Sequence, residues 1–251
     1  MSKLLGSKIK VKPASKELGF VLYEGNSVLD GKPIAAIATL SSSNVKTGNM
    51  VQVWIIRTDI NPVEASKLGE DVSICGNCIH RHYNKGACYV NIGQAPNAVY
   101  KSYIAGKYPK FDYQLHNGHI NHRKIRFGSY GDPAAVPFEV LEKFSKLSLG
   151  HTAYTHQINH RNFDMRFLEL CMVSADSPKQ AKKFQSLGAK TFRVAMAGDS
   201  LDNDEIECKS DSDNIQCIDC GLCDGKSKNI AIAVHGSRSK NFKTNLIAVG
   251  A

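Results

Sequence analysis

No apolar run in this 251-residue chain reaches the ~18 residues that a membrane-crossing helix needs. No membrane partner is therefore expected. The basic start "MSKLLGSKIKVK" lacks both the apolar segment and the cleavage site of a secretory leader, which predicts a cytoplasmic protein. No block of about five or six like charges marks a disordered tail, and no internal repeat or low-complexity segment is visible. A Walker-type phosphate loop, a dinucleotide-binding glycine fingerprint and a G-x-S-x-G elbow are all missing. Those absences remove the common nucleotide-dependent and serine-hydrolase readings.

The hydrophobic fraction of 42% with 22% charged residues suffices to build a sizeable core. A formal charge of +9 favours anionic partners, nucleic acid among them, although the positive charge is spread along the chain. Eight cysteines are many for a chain without an export signal, and seven of them fall into two tight groups. Cys75, Cys78 and Cys88 lie in "SICGNCIHRHYNKGACYV"; Cys208, Cys217, Cys220 and Cys223 lie in "ECKSDSDNIQCIDCGLC". Groups this close read as metal sites rather than as a disulfide framework. Cys171, within the apolar run "FLELCMVSAD", reads as a buried structural thiol.

Apolar, β-branched runs recur along the chain. "IAAIATL" (34–40) is followed by six strand candidates: 51–57, 124–130, 152–157, 167–175, 191–197 and 229–236. Runs of this kind suit strands buried on both faces of a parallel sheet. Helix signals alternate with them. "SADSPKQAKKFQSLGAK" offers Asp176 or Ser177 as N-cap, Pro178 in the first turn and Gly188 beyond the end. "DPAAVPFEVLEKFSKLSLG" sets Val140, Leu141, Phe144 and Leu147 on one face, and "APNAVYKSYIAGKY" is a third helix candidate. This alternation predicts an α/β fold: a partial (β/α) barrel of about six parallel strands over residues 51–251, carrying both cysteine groups, the second on a C-terminal cysteine-rich loop. Residues 1–50 would form a small N-terminal β hairpin or cap. Chemistry in such folds gathers at the C-terminal strand ends, where this chain places the first cysteine loop, "GSYGDP", "YTHQ", "SAD", "AGD" and "HGSR".

The second group has the spacing C-x8-C-x2-C-x2-C. Consecutive x2 intervals match ferredoxin-type iron–sulfur ligation, with Cys208 as the fourth corner, while four thiolates also suit a closed zinc site. The first group is C-x2-C-x9-C. Its three thiolates could complete zinc with His80 or His82, or could hold a [4Fe–4S] cluster through three irons and leave the fourth iron open.

A three-cysteine loop directly after an early strand of a partial (β/α) barrel resembles the radical S-adenosylmethionine superfamily. The resemblance implies that Cys75, Cys78 and Cys88 hold a cluster whose open iron chelates the methionine part of S-adenosylmethionine. "GSYGDP" (128–133) follows the next barrel strand and is similar to that superfamily's glycine-rich acidic motif, so Gly131 and Asp132 are implied as cofactor-binding. The spacing departs from the superfamily's C-x3-C-x2-C. More closely, "CGNCIHR…CYVNIGQAP", "IRFGSYGDPAAVP", "YTHQ" and "CGLC" resemble an uncharacterised family encoded mainly by bacteriophages and related mobile elements, which supplies no activity. It implies host cytoplasm as the location and makes nucleic acid or a host component a candidate substrate.

His156, at a strand end with Tyr154 on the same side, is a candidate general acid/base; Asp132 is a second catalytic candidate. Arg193, inside an apolar strand, requires an anion or carboxylate partner, and a cofactor carboxylate or phosphate would serve, so it is a cofactor-binding candidate. His116, His119 and His122 fall in "DYQLHNGHINHRK", which reads as a flexible loop. Two functions from different classes follow. One is an iron–sulfur enzyme with an auxiliary [4Fe–4S] cluster at the second group. The other is a non-enzymatic nucleic-acid-binding protein with structural zinc or iron–sulfur sites.

Overall fold

The computed structural model describes residues 17–196 and 198–242. The basic stretch at the N-terminus lies outside the described residues. β1 (Gly19–Asn26) and β2 (Pro33–Thr39) form an antiparallel hairpin, and β2 pairs antiparallel with β3 (Val51–Arg57). The expected hairpin is therefore present, but it extends the sheet edge-on instead of capping it. β3 is buried along its whole length, as its continuous apolar sequence requires. After β3 the chain forms α1 (Pro62–Leu68), α2 (Val72–Cys75) and α3 (Ala95–Ile104) before re-entering the sheet.

From there the pairing turns parallel. β4 (Lys124–Tyr130) runs beside β3, and after α4 (Phe138–Ser145) β5 (Gly150–Thr152) runs beside β4. The second sheet contains β6 (Tyr154–Thr155), β7 (Met172–Ala175), β8 (Thr191–Ala195), β9 (Glu205–Glu207) and β10 (Asn229–Ala233), in the order β6-β7-β8-β10-β9, all parallel. α5 (Pro178–Gln185) joins β7 to β8, with Ser177 accepting at its N-terminus. α6 (Lys209–Ser212) and α7 (Cys217–Cys220) lie between β9 and β10. The molecule is thus a mixed α/β structure with two parallel-rich sheets, and among the described residues these do not close into a barrel.

A single residue, Ala153, separates β5 from β6. Its N–H reaches the Cys223 carbonyl (3.1 Å) and its carbonyl accepts from Met172 (2.9 Å). One run of chain therefore ends the first sheet and begins the second. The core lies mainly between the first sheet and its helices, where Phe138, Leu141 and Phe144 of α4 are buried. Burying each of those side chains contributes about 1.5–3 kcal/mol. Of the histidines in the 116–122 stretch, His116 stacks on Phe20 (4.4 Å between centroids) and His119 lies 2.8 Å from Glu17, while His122 is exposed. Cys171 is fully buried, as its apolar surroundings suggest. No helix among the described residues is long and apolar enough to cross a membrane.

Candidate metal centre

α2 ends on Cys75, and the chain leaves it through Gly76 at φ +51°, a backbone region that L side chains rarely adopt. A Cβ at Gly76 would stand 2.0 Å from the Gln157 side-chain oxygen. That closeness is functional in form. Gln157 accepts from the Asn77 N–H (3.1 Å) and donates to the Cys75 carbonyl (2.9 Å), clamping the first cysteine turn from across the sheet. Buried Asp71 holds the Arg81 guanidinium (2.6 and 2.9 Å), and Arg81 in turn donates to the Gly69 and Gly76 carbonyls. The loop closes where the Cys88 N–H meets the His80 carbonyl (3.0 Å).

The second group is anchored just as locally. Cys208 N–H donates to Ala231 of β10, Cys217 N–H donates to the Lys46 carbonyl, and Gly221 in the left-handed conformation ends α7. All four of its cysteines line one small recess beside Thr152 and Tyr154. Cys208 and Cys217 also face a much larger cavity of about 440 Å³, whose other wall carries Cys75, Cys78 and Cys88. The two cysteine groups, separate in sequence, share one chamber.

Arg126 of β4, only 8% exposed, lines the same cavity. It donates to the Tyr89 hydroxyl (2.5 Å), and its guanidinium carbon lies 5.7 Å from the centre of the Tyr154 ring. Among the described residues it has no carboxylate partner. Burial opposes its charge, but Tyr89, Tyr154, Cys217 and Cys223 more than offset that and raise its pKa. Burial is also the leading influence on the thiols. It pushes Cys78, Cys88 and Cys223 up to about 12 and Cys75 well above the usual thiol range. Such thiols stay protonated near neutral pH until a metal takes the place of the proton.

Gly131, Asp132 and His156 line the same cavity as the first cysteine group, so the structure gathers those expected site residues. The structure also gives Asp132 a positioning role. The carboxylate accepts from the Ala134 N–H (3.0 Å), the His156 N–H (2.8 Å) and the Gln157 side chain (3.3 Å), and its own N–H donates to Ile74. Asp132 is a junction that positions the cysteine helix and the His156 turn. Burial raises its pKa, with those N–H donors pulling the other way.

Arg193 is corrected more sharply. It is 1% exposed, and Glu205 engages its Nε (2.7 Å) and Nη2 (2.6 Å) together. Phe192 and Val194 beside it face the cavity, so strand alternation turns Arg193 to the opposite side of the sheet. Its anion is a protein carboxylate, not a cofactor. Nor do the histidines of the first loop complete a compact Cys3His set: His80 Nε2 lies 2.7 Å from Asp176, and His82 Nε2 lies 3.2 Å from the Cys88 carbonyl. Asp176 itself does not cap α5, the role that Ser177 takes.

The sequence reading missed Gln157 as the clamp and the pairing of His80 with Asp176. The only signal for either was their place beside strand ends. No family model, curated protein or solved structure matches this chain.

Proposed function

We propose that this chain is a cytoplasmic iron–sulfur protein with an open, partial (β/α) barrel resembling that of radical S-adenosylmethionine enzymes. Cys75, Cys78 and Cys88 would hold a [4Fe–4S] cluster with one open iron. Cys208, Cys217, Cys220 and Cys223 would hold a second, auxiliary cluster. The observation that carries the reading is the shared chamber: residues of both cysteine groups line one cavity together with a buried guanidinium that has no carboxylate partner among the described residues. An anionic cluster, or the carboxylate of a bound cofactor, supplies what Arg126 lacks.

The described cysteines do not form a preassembled compact zinc set. A closed thiolate zinc site draws its sulfurs to about 3.8 Å of one another, as Zn–S bonds near 2.3 Å require. Among the described residues no three cysteine sulfurs lie within 4.8 Å of one another. An open-iron cluster with S-adenosylmethionine supplies one-electron reductive cleavage of a sulfonium carbon–sulfur bond. Around it Gly131 and Asp132 shape the cofactor side, Gln157 fixes the cysteine turn, and His156 offers a nitrogen to a ligand. The cavity volume falls within the range of small-molecule sites, about 300–1,000 Å³, so the reading favours a small ligand or a single extruded nucleotide over a surface-bound duplex.

The test is iron, zinc and acid-labile sulfide content of anaerobically purified protein, with absorption spectra before and after dithionite. About eight irons and eight sulfides per chain, with a band that bleaches on reduction, is the expected result. S-adenosylmethionine binding should then disappear in C75S and persist in C217S. About two zincs without sulfide would overturn the reading in favour of a non-enzymatic nucleic-acid-binding protein.

A further inference from the structure

His80, His156 and Asp176 come from three separate segments: the first cysteine loop, the residue after β6 and the residue after β7. Their donor atoms converge within 4.8 Å of one another. His80 and Asp176 are each 7% exposed, and His80 Nε2 lies 2.7 Å from Asp176 Oδ1. Two imidazole nitrogens at the cluster, His80 Nδ1 and His156 Nε2, are buried without a hydrogen-bond partner. His156 Nε2 is costly to bury in this way unless a ligand uses it, and the unpartnered His80 Nδ1 is free to carry the imidazole proton when Nε2 is ligated.

Each member is also held in place. The His156 N–H is fixed by Asp132, the Asp176 N–H by the Gln180 side chain, and the His80 ring stacks on Phe242 with centroids 5.4 Å apart. Donors pinned in this way, two at strand ends and one on the cysteine loop, are what a metal site needs, because little remains to be ordered when the ion arrives.

We infer that His80, His156 and Asp176 form a mononuclear site for a first-row divalent cation, distinct from both cysteine groups. Two imidazoles and one carboxylate suit Fe²⁺, Co²⁺ or Zn²⁺ and leave coordination positions open. His80 and His156 both line the cavity, so those positions face the same chamber. When the ion binds His80 Nε2 it takes the place of the hydrogen shared with Asp176; the neutral imidazole then carries its one proton on Nδ1, and only a proton held beyond that one leaves to solvent. The site does not depend on what the cysteines hold.

The experiment is a Co²⁺ titration of the full-length, anaerobically purified protein, followed by optical absorption. The expected result is one Co²⁺ per chain whose weak ligand-field bands carry no sulfur-to-cobalt charge transfer; cobalt taken up by any empty cysteines shows as further equivalents that do carry it. H156Q and D176N should each weaken that binding by at least about tenfold, whereas H82Q, altering a histidine of the same loop outside the trio, should not. Circular dichroism checks that each variant is folded. Should one fail to fold, paramagnetically shifted imidazole resonances in the unaltered protein identify the ligands instead. Cobalt that binds only with sulfur charge transfer, or binding indifferent to both H156Q and D176N, overturns the inference. Iron and sulfide content of the same samples reads the cluster proposal separately, so either can fail alone.

Discussion

Gln157 is fully buried, and its single amide ties together the Asn77 N–H, the Cys75 carbonyl and the Asp132 carboxylate. Replacing it with alanine removes three hydrogen bonds and leaves the Asn77 N–H without a protein partner, while the Cys75 carbonyl keeps only the Cys78 N–H. Each lost bond costs about 0.5–1.5 kcal/mol, and each buried group left unpaired costs about 1–3 kcal/mol. Q157A should therefore destabilise the fold by about 3 kcal/mol and halve the metal content by emptying the first cysteine group. Q157E sharpens the test. The new carboxylate keeps the acceptor for Asn77 but loses the donor to Cys75 and sits against Asp132. Its folded-state pKa is then raised above the unfolded value, so protonation favours the folded state. The penalty is greatest above that raised pKa and shrinks as the pH falls through it. Urea unfolding at neutral and mildly acidic pH, with iron content measured beside it, reads both effects. If Q157A unfolds within about 0.5 kcal/mol of the unaltered protein and retains its full metal, the clamp argument is wrong.

Three further predictions use other parts of the molecule. E205Q leaves the buried Arg193 charge unpaired, so it should cost about 3–5 kcal/mol in urea unfolding without changing metal content. In the unaltered protein burial works against the Glu205 charge, but Arg193 more than offsets it and holds the pKa below the usual carboxylate range. The contribution of that pair is therefore complete above the unfolded value near 4.3 and fades as the pH falls through the lower folded value, which acid titration of stability in E205Q and the unaltered protein would reveal. R126Q should leave the fold intact but make cluster reduction harder, measured as a more negative midpoint potential; an unchanged potential would separate Arg126 from the clusters. C75S and C217S should each remove about half of the iron while leaving the other half reducible, read by metal analysis and electron paramagnetic resonance.

All six strand candidates after residue 50 contain real strands, because continuous apolar runs such as "VQVWIIR" leave little else for the backbone to do. The helix of "SPKQAKKFQ" was equally legible, with serine cap, early proline and following glycine each in place. Strand β9 was not. Three residues, "EIE", carry no periodic signal, and only pairing with β10 makes them a strand. That omission explains the error at Arg193. With β9 unseen, Glu205 had no position opposite the guanidinium, and an external anion was the natural substitute. Proximity of the two cysteine groups was likewise invisible, since their meeting depends on where parallel strands place loops more than a hundred residues apart. His80 and Asp176, 96 residues apart, are of the same kind.

The segment "TAYTHQ" accounts for much of the site's geometry. Thr152 and Tyr154 form one wall of the recess that holds the second cysteine group, and Ala153 hydrogen-bonds the Cys223 carbonyl. Two residues further on, His156 is set by Asp132, and Gln157 clamps the turn between Cys75 and Asn77. Both cysteine groups are thus referenced to six consecutive residues at the point where the two sheets exchange strands. A β-strand advances about 3.3 Å per residue, so the contacts to the two groups along this segment lie within roughly 15 Å. A shift of this strand would move both groups together, which keeps their mutual geometry constant while the surrounding loops vary. The break at Ala153 has a physical purpose on this account: it frees one N–H from the ladder for the second cysteine loop and lets the chain continue, without a turn, to the residues that hold the first.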